Sequence, residues 1–114
     1  MTHVYKILAA DAWTSAQRAG RFGGAGIDLA DGYIHLSTAA QAPETARLHF
    51  AGWADLMLLR IDADRLGPAL KWEPSRGGQL FPHLYGPLDC ALVEAATAIE
   101  LAADGVPQLG ELLP

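Results

Sequence analysis

The stretch Leu56-Met57-Leu58-Leu59-Arg60-Ile61-Asp62-Ala63-Asp64-Arg65-Leu66-Gly67-Pro68-Ala69-Leu70-Lys71-Trp72-Glu73 decides the fold class. Residues 56–61 are almost wholly apolar, which predicts a strand covered on both faces. Residues 70–73 alternate, with Leu70 and Trp72 opposite Lys71 and Glu73, which predicts a second strand. Residues 62–67 leave room for a turn or a short helical piece and no more. Neighbouring strands without a crossover helix imply antiparallel pairing, so the steady βα alternation of a doubly wound sheet is not the architecture.

Working outward, Val4, Tyr5 and Ile7 predict a strand over residues 3–9. Asp11 is placed to cap a helix over 12–19 that Gly20 ends, with Trp13 as its anchor in the core. Gly23, Gly24, Gly26 and Gly32 mark residues 21–32 as a loop. Residues 33–37 predict a strand with Ile34 and Leu36 on one side and Tyr33, His35 and Ser37 on the other. A turn over 38–41 leads to Pro43, the first residue of a helix over 43–50 whose buried pair is Ala46 and Phe50. Beyond the opening stretch, residues 74–88 read as a Gly/Pro-rich loop and 91–101 as a long strand with Val93 and Ile99 on one face. The tail from Gly105 suits an edge strand or a short helix. The expected fold is a single α+β domain over residues 1–114, a bent mixed sheet carrying two short helices.

Composition agrees with one folded core. Of 114 residues, 51% are apolar and 18% charged, which excludes a disordered chain. Thirteen acidic residues against 8 basic give a net charge of −5, the wrong balance for gripping a nucleic-acid backbone. Cys90 is the one cysteine, so an intrachain disulfide and a multi-thiolate metal cage are excluded. With Ala91 and Leu92 beside it, Cys90 reads as a core residue and not as a nucleophile. The apolar runs 7–10 and 56–59 fall far short of a signal-peptide core or the ~20 residues that cross a bilayer. A cytoplasmic location without a membrane partner is the expectation.

Two segments could carry chemistry. In Asp31-Gly32-Tyr33-Ile34-His35-Leu36-Ser37-Thr38, strand geometry sets Tyr33, His35 and Ser37 on a common face, with about 7 Å between alternate residues. An imidazole and a hydroxyl so spaced can hold two edges of one polar ligand. The second segment, residues 73–88, gathers Glu73, Arg76, His83 and Tyr85 in a proline-stiffened stretch. There is no H-E-x-x-H pattern, so zinc would have to be assembled from His35, Glu73 and His83. Neither a Walker loop nor a dinucleotide fingerprint occurs. His3 and His49 receive no role.

Tyr5-Lys6-Ile7, Trp13, the 31–38 segment and Phe81-Pro82-His83-Leu84-Tyr85-Gly86-Pro87-Leu88 together resemble a small bacterial family catalogued as domain of unknown function 952. The resemblance spans nearly the whole chain and transfers no activity. More distantly, residues 33–67 are similar to the second half of RNA 2′-phosphotransferases, which share a His-Leu-Ser strand, a helix and an aliphatic strand ending in Ile-Asp. That likeness implies an ADP-ribosyltransferase-like fold, a split β structure gripping NAD between two sheets, with His35 and Ser37 lining the cleft. It implies a His or Arg on the first strand, where Lys6 stands. It also implies a glutamate that steadies an oxocarbenium-like ribose, for which Glu73 and Glu94 are the candidates. The resulting expectation is binding of NAD or a related nucleotide, with NAD as co-substrate. Glu73 and His35 would be catalytic, and Tyr33, His35, Ser37, Arg76, His83 and Tyr85 would hold the ligand. The alternatives are a binding module without chemistry and a metal-assisted hydrolase using His35, Glu73 and His83.

Overall fold

The first strand and the aliphatic strand form the centre of the molecule. A computed structural model describes residues 2–113; Met1 and Pro114 of the expected domain lie outside the described residues. Strand β1 (His3–Ala9) pairs antiparallel with β4 (Leu56–Asp62), Lys6 opposite Leu59. β4 pairs in turn with β8 (Val93–Leu101), and β8 carries the short edge strand β9 (Pro107–Gln108), giving the order β1-β4-β8-β9. Alternation divides these strands between two cores. Val4, Leu8, Leu59 and Ile61 face a core with Trp13, Phe22 and Leu88. Tyr5, Ile7, Leu56 and Leu58 face the other, with Ala42, Ala46 and Ile99. The strand predicted to be covered on both faces is so covered. Helix α1 (Ala10–Ala19) lies over the first core through Trp13 and Ala16, and α3 (Ala42–His49) over the second through Ala42 and Ala46.

A second sheet, in the order β3-β6-β5, is built from β3 (Ile34–His35), β5 (Leu70–Pro74) and β6 (Leu80–Leu84). One residue ties it to the first. Tyr5 N–H donates to Ser37 O at 2.7 Å and Ser37 N–H donates to Tyr5 O at 2.9 Å. Past that bridge the two sheets part, and no strand among the described residues pairs with the free edge of β1 from Ile7 to Ala9. Strands β2 (Arg21–Phe22) and β7 (Leu88–Asp89) add a small ribbon.

The α+β class holds, and several details are corrected. Every strand pairing among the described residues is antiparallel, so the sheet is curled but not mixed. A third helix, α2 (Ile27–Asp31), lies inside the stretch expected to be all loop, and Gly32 ends it at φ 83°. Helix α1 starts at Ala10 without a side-chain cap, so Asp11 sits in its first turn. Phe50 ends α3 half-buried, and the buried pair is Ala42 and Ala46. The segment expected as a loop over 74–88 holds β6, the central strand of the second sheet. Pro82 is tolerated there for a geometric reason. Its carbonyl accepts from Leu36 N–H, so its missing N–H faces the same edge, where β3 has already ended. Val93 and Ile99 face different cores because a bulge opposite Arg60/Ile61 inserts Glu94 and reverses the alternation. No helix among the described residues is long and apolar enough to cross a membrane.

Candidate functional site

Lys6 is the residue from which the site grows. It points from β1 into an apolar core, where an unpaired ammonium would cost several kcal/mol of desolvation, roughly, so it must find a carboxylate. Asp28 of α2 supplies one: Lys6 Nζ lies 2.8 Å from Asp28 Oδ2 and also donates to His35 O at 3.1 Å. Asp28 is itself 2% exposed and accepts three further hydrogen bonds. Ala25 N–H donates to Oδ2, while His35 N–H and His35 Nδ1 reach Oδ1, the last at 2.6 Å. Burial pushes the Asp28 carboxyl up, but the His35 hydrogen bond and the Lys6 charge outweigh it and hold the group at about 2. Burial pulls the Lys6 ammonium below its ordinary value, against the opposing pull of Asp28. Gly24 is required beside this carboxylate, since a Cβ there would stand 3.0 Å from Asp28 Cβ and φ is 111°.

His35 and its neighbours share one face of the second sheet. The register sets His35 opposite His83, and Glu73 opposite Phe81. Tyr33 stacks on His83 with centroids 4.2 Å apart, and lies 4.6 Å from His35 and 5.1 Å from Tyr85. Glu73 Oε1 accepts from His83 Nδ1 at 2.9 Å and from Tyr85 OH at 2.8 Å. The His83 and Tyr85 hydrogen bonds hold Glu73 below the usual carboxylate range, and the Glu73 bond pushes the Tyr85 phenol up to about 12.

A cleft of about 430 Å³ opens where the two sheets part. Its walls come from the free edge of β1, the Ala25–Ile27 segment, His35 to Ser37, the outer face of α3, and Arg76 with Phe81. Ile7 stands two residues beyond Tyr5, so its N–H and C=O point to the same unpaired edge, into the cleft. Ser37 Oγ lies 3.1 Å from Thr45 Oγ1, and Arg76 Nη1 reaches that hydroxyl at 3.4 Å while its guanidinium covers the Phe81 ring at 4.8 Å.

The expected residues therefore divide. His35, Ser37 and Arg76 line the cleft. Tyr33, Glu73, His83 and Tyr85 gather beside His35 but pack on one another beyond the cleft wall. Neither candidate glutamate lines the cleft, because Glu73 is held by His83 and Tyr85, and Glu94 sits on the β8 bulge near His3 and Arg60. His83, expected to help hold the ligand, is 3% exposed and already engaged with Glu73. No group of three His, Cys, Asp or Glu among the described residues is arranged to hold a metal ion. Asp28, Thr45, His49 and Trp53 were not legible as site residues. For Asp28 a signal existed: a lysine inside Val4-Tyr5-Lys6-Ile7-Leu8 demands a buried carboxylate partner.

Fold and cleft define a class: a small α+β protein whose curled antiparallel sheet parts around a largely apolar cleft with polar side chains in its wall. The family described as protein of unknown function (DUF952) matches residues 7–96, and the chain belongs to that family. Solved structures agree over nearly the full length. The X-ray structure of protein CC0527 from Caulobacter crescentus is 53% identical, with 97% of each chain covered and a TM-score of 0.96. The solution NMR structure of CC0527 is 54% identical, with a TM-score of 0.88 over 99% of this chain and 97% of that one. No curated protein matches the sequence.

Proposed function

We propose that the cleft binds NAD or a related nucleotide, in the manner of a domain that keeps the ADP-ribosyltransferase-like cleft without its ribose-steadying glutamate. One observation carries the reading: at the parting of the sheets, His35 and Ser37 from one segment and Arg76 from another meet at a cavity of ligand size beside an unpaired strand edge. The apolar lining supplies contact area, and the unpaired Ile7 N–H and C=O, with the side chains, supply orientation. Because neither Glu73 nor Glu94 reaches the cleft, binding without turnover is the better-supported form. A catalytic form gains nothing from His35, whose Nδ1 lies 2.6 Å from Asp28 Oδ1 and whose Nε2 lies 3.0 Å from Asp31 Oδ2, so both ring nitrogens are already held.

Isothermal titration with NAD and ADP-ribose, with nicotinamide release followed in parallel, tests both forms. Binding that His35→Ala removes from a folded protein, without nicotinamide release, is the expected result. Release of nicotinamide would select the catalytic form, and no heat with millimolar NAD, ADP-ribose or either nucleotide half of NAD would end the reading.

A further inference from the structure

Resting on the nucleotide reading of the cleft, we infer that its ligand is a mononucleotide-sized molecule. One phosphate monoester would sit against Arg76, Thr45 and Ser37, and one ring would lie along Phe50 and Trp53. The charge distribution points there first. The chain carries −5 in all, yet no Asp or Glu lines the cleft. Two formal cations line it. Lys6 is neutralised by Asp28, whereas Arg76 has no carboxylate within ion-pair distance among the described residues. Its guanidinium carbon lies over the Phe81 ring, 4.8 Å from the centroid, so the charge is placed before any ligand arrives.

The hydroxyls complete the set. Ser37 and Thr45 use one proton between them at 3.1 Å, which leaves the other free to donate to a ligand oxygen. Guanidinium and hydroxyl approaching from two elements suit the several oxygens of a phosphate, in charge-assisted hydrogen bonds. The lining also carries aromatic surface. Phe50 and Trp53 meet edge to face at 5.4 Å, and Trp53 and Ile27 stand more than half exposed, open surfaces on which a planar ring can pack.

Size and charge then select between a dinucleotide and half of one. Arg76 is the one formal cation in the lining that no carboxylate neutralises, since Lys6 is committed to Asp28, so the lining offers charge for one phosphate. The cavity, about 430 Å³, stands toward the small end of the ~300–1,000 Å³ range of ligand pockets. That size favours half of a dinucleotide over the whole.

The test titrates the full chain with NAD and with its two halves, AMP and nicotinamide mononucleotide, each half beside its dephosphorylated nucleoside. At least one mononucleotide should bind about tenfold or more tightly than both its nucleoside and NAD. Arg76→Ala should erase that advantage by weakening the nucleotide far more than the nucleoside, and Arg76→Lys should restore only part of it. Amide spectra of each variant establish that it is folded. Equal binding of nucleotide and nucleoside, or NAD binding as tightly as either half, overturns the inference and leaves the nucleotide reading standing. An unchanged mononucleotide affinity in Arg76→Ala overturns it as well. If neither NAD nor any half binds, the nucleotide reading fails and the inference with it.

Discussion

Asp28 holds more of the structure than any other single polar side chain described here. Its two oxygens join β1, the glycine-rich segment and β3 through Lys6, Ala25 and His35. Removing it strands the Lys6 ammonium among Phe22, Val4 and Leu59, so Asp28→Ala should cost about 3–5 kcal/mol, read from urea midpoints. The loss falls toward the lower figure because Lys6 can shed its proton. Acid should act at the same carboxyl. Its folded value of about 2 lies below the ordinary 3.8, so its stabilisation is complete above about pH 4 and is lost as pH falls toward about 2. In Asp28→Asn the decline in urea midpoint across that window should be visibly shallower. Tyr85 offers a spectroscopic check on the neighbouring cluster. Ultraviolet titration should show one phenol ionising near 12, returning toward 10 in Glu73→Gln.

Among the elements, α2 is the clearest case of local geometry serving the site. Five residues make no stable helix alone. Its position is set by Asp28 on one side and by Gly32, whose φ of 83° turns the chain into Tyr33 and β3. Nothing crowds a Cβ at Gly32, so Gly32→Ala tests backbone strain alone and should cost about 1–2 kcal/mol in thermal or urea unfolding. β6 shows the opposite relation between pattern and structure. Leu80-Phe81-Pro82-His83-Leu84 reads as a loop because proline cannot serve a ladder on both sides, yet its one deficient edge meets the place where β3 stops. Glu94 likewise overturns an alternation that was sound on both sides of it, since a single inserted residue exchanges the faces.

For the molecule as a whole, the two cores share β1 and β4, so neither can melt while the other persists. Far-UV circular dichroism and tryptophan fluorescence should report one coincident transition. Leu58→Ala and Leu59→Ala, adjacent residues facing opposite cores, should each lower stability by about 2–5 kcal/mol without splitting it. A two-step melt in either variant would show that the cores are separable.

Local chemistry sufficed for the α+β class, for the strands at 3–9 and 56–61, and for Trp13 as a core anchor. These follow from side-chain period and propensity, which act between near neighbours. It also singled out His35, Ser37 and Arg76, all of which line the cleft. The tertiary structure alone decided that Lys6 would turn to Asp28, that Glu73 would be tied to His83 and Tyr85, and that β6 would be a central strand. Each of these depends on which partner a strand edge or a charge meets across 6 or more residues of chain. A buried charge takes whichever opposite group the fold brings within about 3 Å, and no period in the sequence encodes that choice.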